Sequence, residues 1–430
     1  MLASPFRVEE HVPVAKRQLA FILLGTWFTA VALIHGQESS PVAPVPQLRA
    51  RGVDQKQDAS VLMNAVVLDG KGKGVKGLQE QDFNLLDDRK KVPQASWQLL
   101  TSGTPVSQSP QIIFVLDAVN SSLPDLARIE DAMEQYLKEG NAPLAQRTTI
   151  LFVSDAPPQA AASQHSPDKA PTSADNVTTM ALEQKQLSVH RTPTSTDRNA
   201  LLHALESYKA GMPRLNDAQG ATIQSDQVRL SLQALNYIAS AYTSIKGPKL
   251  VLWLGPGWPF LAKSSAKSSE PLFDSVVYFT SLLQEAQITL YSISPEGVTA
   301  GDTSSEMGSF ELAQRASSGR SFGAAPPPNV PTELNNSAYA AFLNGVRTMA
   351  QSNPNDLAVQ VLAFHTGGLV LRRNNDLVAQ IERCIADASG MYVFSHKPEK
   401  GRKPDIYHDL AIETANGSRR VRTLTGFYAR

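Results

Sequence analysis

The stretch "IIFVLDAVNSS", Ile112–Ser122, decides the fold. Five apolar residues run without a break into Asp117, small and polar residues follow, and a helical pattern begins directly after them. A continuous apolar run of this length, ended by a polar turn before a helix, is the mark of a buried parallel strand stopping at the carboxyl rim of a sheet.

The chain around it keeps the same rhythm. "QIIFVL", "TTILFV", "KLVLWL" and "ITLYSI" read as strands buried on both faces. Between them "LPDLARIEDAMEQYLKEG", "DRNALLHALESYKAG", "SDQVRLSLQALNYIASAYTSIKG" and "LFDSVVYFTSLLQEAQ" read as helices. The first has Pro124 in its opening turn and Gly140 at its end, the residues that suit those two positions. Alternation of this kind predicts a mostly parallel sheet with helices on both faces. Ala156–Asn176, Lys263–Glu270 and Gly323–Asn336, rich in Pro, Ser and Ala, are read as surface loops, in part disordered.

Both flanks of this α/β block are β-rich. "SVLMNAVVLDGKGKGVKGLQEQDFNLLDDRKKVPQASWQLL" has short alternating runs broken by Asp69-Gly70, Gly72 and Gly74. "MYVFSH", "YHDLAIET" and "RRVRTLTGFYA" alternate likewise, with Asn416-Gly417 as a hairpin signal. An N-terminal hairpin is not stable alone, so the two flanks are expected to share a small β-sandwich. The resulting division is a signal peptide or signal anchor over 1–37, a flexible linker over 38–58, and an N-terminal β segment over 59–105. The α/β domain then covers 106–388, and a C-terminal β segment over 389–430 packs with the first.

Lys16-Arg17 precede the apolar run Leu19–Ile34, which is shorter than the ~20 residues that span a bilayer. Ala30-Val31-Ala32 has the form of a signal-peptide end, with an uncleaved anchor as the other reading. In either case the rest of the chain is expected outside the cytoplasm, and the membrane touches it only through this segment. Forty Lys and Arg balance forty Asp and Glu, which argues against nucleic acid as a partner. Lys397–Arg430 is locally basic, as strands with solvated Lys and Arg faces commonly are. Cys384 is the sole cysteine, so no internal disulfide forms; its helical context reads as a buried structural thiol.

Six stretches in order resemble a known family. They are "NAVVLDGKGKGVKGLQEQDFNLLDD", "IIFVLDAVNSS", "STDRNALLHAL", "IKGPKLVLWLGPGWP", the run from Thr366-Gly367-Gly368 through "DLVAQIERCIADASGMYVFSHKP", and "YHDLAIET…VRTLTGFYAR". Together they resemble the VWFA-related domain proteins described from Acidobacteria, a branch of the von Willebrand factor type A fold. The resemblance implies an α/β, Rossmann-type sheet with a small β-sandwich. It also raises the question of a Mg²⁺ site at the carboxyl edge, built from D-x-S-x-S after the first strand, a threonine in a later loop and an aspartate after the fourth strand.

Asp117 and Ser121 stand where that pattern wants them, and Thr196 or Asn199 would supply the loop oxygen. Val119 replaces the middle serine and Gly255 the second aspartate. Asn120 and Asp197 are nearby substitutes that do not restore the pattern. Mg²⁺ gives up its waters only for a well-formed octahedral oxygen shell. The site is therefore read as degenerate: no cofactor is expected, Mg²⁺ is at most weakly held, and Asp117 caps the next helix or bonds loop amides. The rim remains the expected recognition surface, because open α/β sheets bind beyond the carboxyl ends of their strands. Asn120, Asp197, Asn199, Trp258 and Phe260 are its candidate residues, the two aromatics serving as exposed anchors or packing down on a neighbouring loop.

Catalytic signatures are missing. The histidines follow no metal-protease spacing, and there is no G-x-S-x-G elbow or phosphate loop. "GKGKGVKG", Gly70–Gly77, lies between β segments and reads as a turn. The expectation is an exported, non-catalytic protein that binds an unidentified protein or cell-envelope partner through the rim. The alternative is a structural envelope component assembling through its sandwich, with the α/β domain as spacer; an extracytoplasmic hydrolase ranks third.

Overall fold

The computed structural model describes residues 60–100, 109–140, 142–155, 187–209, 221–258, 270–295, 344–371 and 375–429, which all lie in one compact unit, Ala43–Arg430. Four strands come first: β1 (Val61–Leu68), β2 (Phe83–Asp87), β3 (Lys90–Lys91) and β4 (Trp97–Leu99). The alternating block follows as β5 (Gln111–Asp117), α1 (Leu123–Lys138), β6 (Thr148–Ser154), β7 (Ser188–Arg191), α2 (Arg198–Lys209) and α3 (Ala221–Thr243). It continues with β8 (Lys249–Leu254), α4 (Glu270–Glu285), β9 (Ile288–Ile293), α5 (Val359–His365), β10 (Val370–Leu371) and α6 (Leu377–Ala386). The last strands are β11 (Met391–His396), β12 (Tyr407–Thr414), β13 (Arg420–Thr423) and β14 (Gly426–Tyr428).

The central sheet has six strands in the order β10-β9-β8-β5-β6-β7. All neighbours are parallel except β7, which runs antiparallel to β6 at the edge. This is the α/β, Rossmann-like architecture expected from the apolar runs. Every residue of β5, β6, β8 and β9 is buried, because both faces are covered. Ile112, Phe114 and Leu116 pack among residues of α1, α2 and α6, whereas Ile113 and Val115 pack among residues of α3, α4 and α5. α1 starts where the Ser122 side chain accepts the Asp125 N–H at 3.3 Å, with Pro124 in the first turn. β7 escapes an apolar-run reading because it is short and partly exposed. Of the three expected loops, only Glu270, the first residue of α4, lies within the described residues.

Two four-stranded antiparallel sheets, β13-β1-β11-β4 and β14-β12-β2-β3, form the second layer system. Alternate residues Val61, Met63, Ala65 and Val67 of β1 share one core with Phe83 and Leu85 of β2, Phe394 of β11 and Leu410 and Ile412 of β12. Phe83 meets Tyr392 and Phe394 edge-on, at 5.3 and 5.0 Å between ring centres. The Asn416-Gly417 turn departs from the hairpin expectation. β12 pairs with β2 and β14 while β13 pairs with β1, so the turn carries the chain from one sheet to the other. The Asp82 carbonyl takes the Ala415 N–H at 2.9 Å and fixes the point where β12 leaves its sheet.

The sandwich is locked to the α/β layer by buried polar contacts and by close backbone approach. Asn64, on the outer face of β1, donates to the Gln287 carbonyl (3.0 Å) and to Thr289 Oγ1 (3.2 Å). Arg422 of β13 donates to Asp387 Oδ2 at 2.6 Å, and Tyr291 of β9 donates to the same oxygen at 2.8 Å. Within the α/β layer, Thr366 Oγ1 accepts the Leu290 N–H at 2.9 Å and sets the start of the next close approach. The next two residues must be glycine. Gly367 has φ +82° with the Thr423 backbone 2.7 Å from where a Cβ would stand, and a Cβ on Gly368 would lie 1.8 Å from the Leu290 carbonyl oxygen.

Two carboxylates respond oppositely to their surroundings. Burial acts to raise the Asp87 carboxyl, but hydrogen bonds from His396 and Arg402 outweigh it and hold it below the ordinary carboxylate value. Asp356, in a 3₁₀ turn before α5, is pushed up to about 7 by burial, against the 2.6 Å hydrogen bond from the Asn353 N–H. A raised folded-state value means stability that is complete below the unfolded value and is lost as pH rises through about 7. Asp356→Asn is therefore expected to melt higher than wild type at pH 8.5, by on the order of 2 kcal/mol, and to show little gain at pH 4. Melting curves at the two pH values check this; an equal shift at both would remove the linkage. Gly368→Ala is expected to cost more than ~3 kcal/mol in denaturant titration, since neither colliding backbone can retreat.

Candidate functional site

β5 delivers Asp117 to the carboxyl edge of the central sheet, beside Val153 of β6 and next to Gly255 after β8. The side chain is 0% exposed. Oδ1 accepts the N–H groups of Val119 (3.1 Å) and Asn120 (3.0 Å). Oδ2 accepts Asn120 Nδ2 (2.7 Å) and Trp253 Nε1 (2.8 Å). Burial pushes this carboxyl up; the Trp253 and Asn120 donors pull it down but do not cancel the burial effect.

The turn that follows is pinned to α3. Asn120 Nδ2 also donates to Ser231 Oγ at 2.9 Å, and Gln227 Nε2 donates to the Val119 carbonyl at 3.2 Å. Ser122 rather than Asp117 caps α1. On the other side, a Cβ at Gly255 would lie 2.7 Å from Asp117 Cβ. The glycine standing where the resemblance wants a second aspartate is thus the space into which Asp117 packs.

Trp258 is not an exposed anchor. It is 2% exposed, its indole N–H donates to the Leu357 carbonyl at 2.8 Å, and it meets Trp253 edge-on at 5.3 Å. It packs down because Gly257, at φ +72°, turns the chain onto α5; a Cβ there would stand 2.3 Å from Val359 Cγ1. Phe260 lies outside the described residues.

Thr196, Asp197 and Asn199 are on the wrong edge of the sheet to join Asp117. β7 runs back along β6, and Ser195 then bridges Thr148, the first residue of β6, whereas Asp117 pairs with Val153 near its end. Five strand residues separate the two levels, roughly 16 Å. The Thr196 carbonyl accepts the Leu144 N–H, and Asp197 Oδ1 accepts the Asn199 N–H at 2.9 Å at the start of α2. The antiparallel course of β7 is what overturns the expected grouping.

The other oxygens at this edge are the carboxylate of Asp155, directly after β6, and three neutral groups. Asn120 Oδ1, Ser121 Oγ and Gln360 Oε1 are buried and have no hydrogen-bond partner among the described residues. Gln360 Nε2 donates to the Pro256 carbonyl at 3.2 Å. Asp117, the carboxylate the pattern places first, already accepts four donors and does not fit as the anchoring Mg²⁺ ligand. A second grouping, Asp87, Asp88 and His408, has potential ligand atoms within 4.8 Å of one another. Its carboxylates already face cationic or imidazole groups, Asp87 with Arg402 at 2.6 Å and Asp88 with His408 at 2.7 Å. The Cys384 thiol is fully buried and raised by that burial, as befits a packing residue.

Trp253, Ser231, Gln227 and Gln360 belong to the edge but carry no motif signal. Trp253 sits inside an apolar run, and the other three are ordinary polar positions along helices. Comparison with protein-family models and with curated proteins finds no match for this chain.

The donor arrangement is directly testable. Trp253→Phe keeps most of the apolar volume but removes one donor from a buried carboxylate, an expected loss of ~1–3 kcal/mol. Asp117→Ala strands the Val119, Asn120 and Trp253 donors together and is expected to cost more than Trp253→Phe. Urea midpoints rank the two; equal stability of Asp117→Ala and wild type would show that the carboxylate does not hold the edge.

Proposed function

We propose that this chain is an exported, non-catalytic protein with a von Willebrand factor type A-like α/β layer. In this reading it recognises a protein or envelope partner through the carboxyl edge of the sheet without a bound metal ion. The observation that carries the reading is the saturation of Asp117: both oxygens accept two protein donors each, and Gly255 closes the space beside it. A partner at this edge then binds by shape and direct contact.

The edge itself supports that role. Leu123, at the start of α1, is 44% exposed, a large apolar side chain one turn from Asp117. Export rests on the N-terminal sequence, whose residues lie outside those described. Among the described residues no helix is long and apolar enough to cross a membrane.

Calorimetry with millimolar Mg²⁺ or Mn²⁺ is expected to show no saturable heat. Cross-linking in the native envelope should yield a partner whose yield is unchanged by chelator and reduced at least several-fold by Leu123→Glu. Partner loss on chelation, or saturable metal heat that Asp117→Asn abolishes, would overturn the metal-free reading. Full retention in Leu123→Glu would move recognition to the sandwich.

A further inference from the structure

We propose that the edge of the β-sandwich between β2 and β4 holds a binding site for a neutral saccharide. A cavity of about 630 Å³ opens there, within the roughly 300–1,000 Å³ of small-molecule sites. The strand pattern makes it. β3 pairs only with Leu86 and Asp87 of β2, so Phe83 and Asn84 have no strand on that side. The chain then leaves β3, at the edge of one sheet, for β4, at the edge of the other. On the way the Val92 N–H donates to the Leu85 carbonyl at 2.8 Å, and Pro93 leads into the 3₁₀ turn Gln94–Ser96. The cavity lies between this crossover and the 3₁₀ turn Glu80–Asp82 before β2.

Its lining is amphipathic. Phe83, Val92 and Trp97 are buried apolar residues, and Glu80, Asn84, Lys91 and Gln94 supply polar groups beside them. Glu80 is fixed in place, with Oε1 accepting Gln94 Nε2 at 2.6 Å and Oε2 accepting the Leu99 N–H at 2.9 Å. A carboxylate has about four lone-pair sites, so both oxygens can accept again. Trp97 gives the sharper sign. A buried indole ordinarily donates its N–H to a partner. Trp253 donates to Asp117 and Trp258 to the Leu357 carbonyl. Trp97, 5% exposed, has no such acceptor among the described residues and lines the cavity instead.

The chemistry of the lining selects the ligand. Glu80 is its one carboxylate and Lys91 its one ammonium, so an anion meets the first and a cation the second. The other polar groups are side-chain amides and the indole N–H, donors and acceptors in mixture. Saccharide hydroxyls donate and accept at once, and the C–H face of the ring packs on apolar side chains. A peptide strand finds no ladder to extend here. The Phe83 N–H is taken by the Glu80 carbonyl, the Trp97 N–H by the Gln94 carbonyl and the Leu99 N–H by the Glu80 side chain. This inference does not depend on what the carboxyl edge of the central sheet binds.

The test mixes the full chain with maltotriose, cellotriose or triacetylchitotriose at up to ~20 mM, and with trialanine as a peptide probe. Saturation-transfer NMR reads contact with ligand protons, and the titration gives a dissociation constant. At least one trisaccharide is expected to saturate in the millimolar range or below, with no transfer to trialanine. Trp97→Phe keeps an aromatic ring in the lining and removes the N–H; it is expected to weaken binding at least several-fold. Asn84→Ala, at a half-buried position, is expected to do the same, and it decides the matter if Trp97→Phe does not fold. Absence of saturable transfer to all three sugars would overturn the proposal. Sugar binding that Asn84→Ala leaves unchanged, or trialanine binding that Asn84→Ala abolishes, would do so equally.

Discussion

A carboxylate sealed from water must have its lone pairs filled, and at Asp117 that demand organises the neighbourhood. The residue terminates the central strand β5, so whatever satisfies it also fixes how β5, β8 and α3 end against one another. Two backbone N–H groups curl the following turn, Asn120 ties that turn to Ser231, and Trp253 reaches across from β8. Trp258 then stacks edge-on against Trp253 and carries the order to Leu357, ahead of α5. The same contacts that stabilise the edge occupy both oxygens of this carboxylate.

The junction between the layers follows a different rule. Apolar packing holds each layer, but directional contacts set one against the other: Asn64 and the Arg422–Asp387–Tyr291 group. Buried charge of this kind contributes specificity more than net stability. Gly367 and Gly368 let two backbones approach until a side chain would not fit. The Thr-Gly-Gly run thus lies between the layers, Gly367 against β13 and Gly368 against β9.

Much of the fold was legible because buried parallel strands are long apolar runs, and β5, β6, β8 and β9 are uninterrupted ones. Helices α1 to α4 carried clear periodicity. The edge strand β7 was not legible, since a short half-exposed strand has no apolar signature, and missing it had consequences. Without the return of β7 along β6, Thr196, Asp197 and Asn199 seem from their order alone to follow a strand end and to share the rim with Asp117. The Asn416-Gly417 turn misled for a related reason: a tight turn says that the chain reverses, not which sheet receives it. At the site, Asp117 and Gly255 were legible as neighbours in the pattern, and the structure packs one against the other. The indole that fills Asp117 was hidden in an apolar run, where tryptophan reads as bulk and not as a donor.

The pairing of β1 with β11 and β13 has a consequence for biogenesis. The bond between Thr423 and the Asn64 carbonyl spans 359 residues of sequence. A polypeptide emerging amino terminus first must carry β1 and β2 with open edges through the synthesis of the whole α/β layer, until their partners arrive at the very end. The α/β layer, whose strands pair within a much shorter span, is free to assemble earlier and to serve as the platform on which the sandwich closes. Losing the final strands to premature termination would strip both antiparallel sheets of partners at once and leave aggregation-prone β edges exposed.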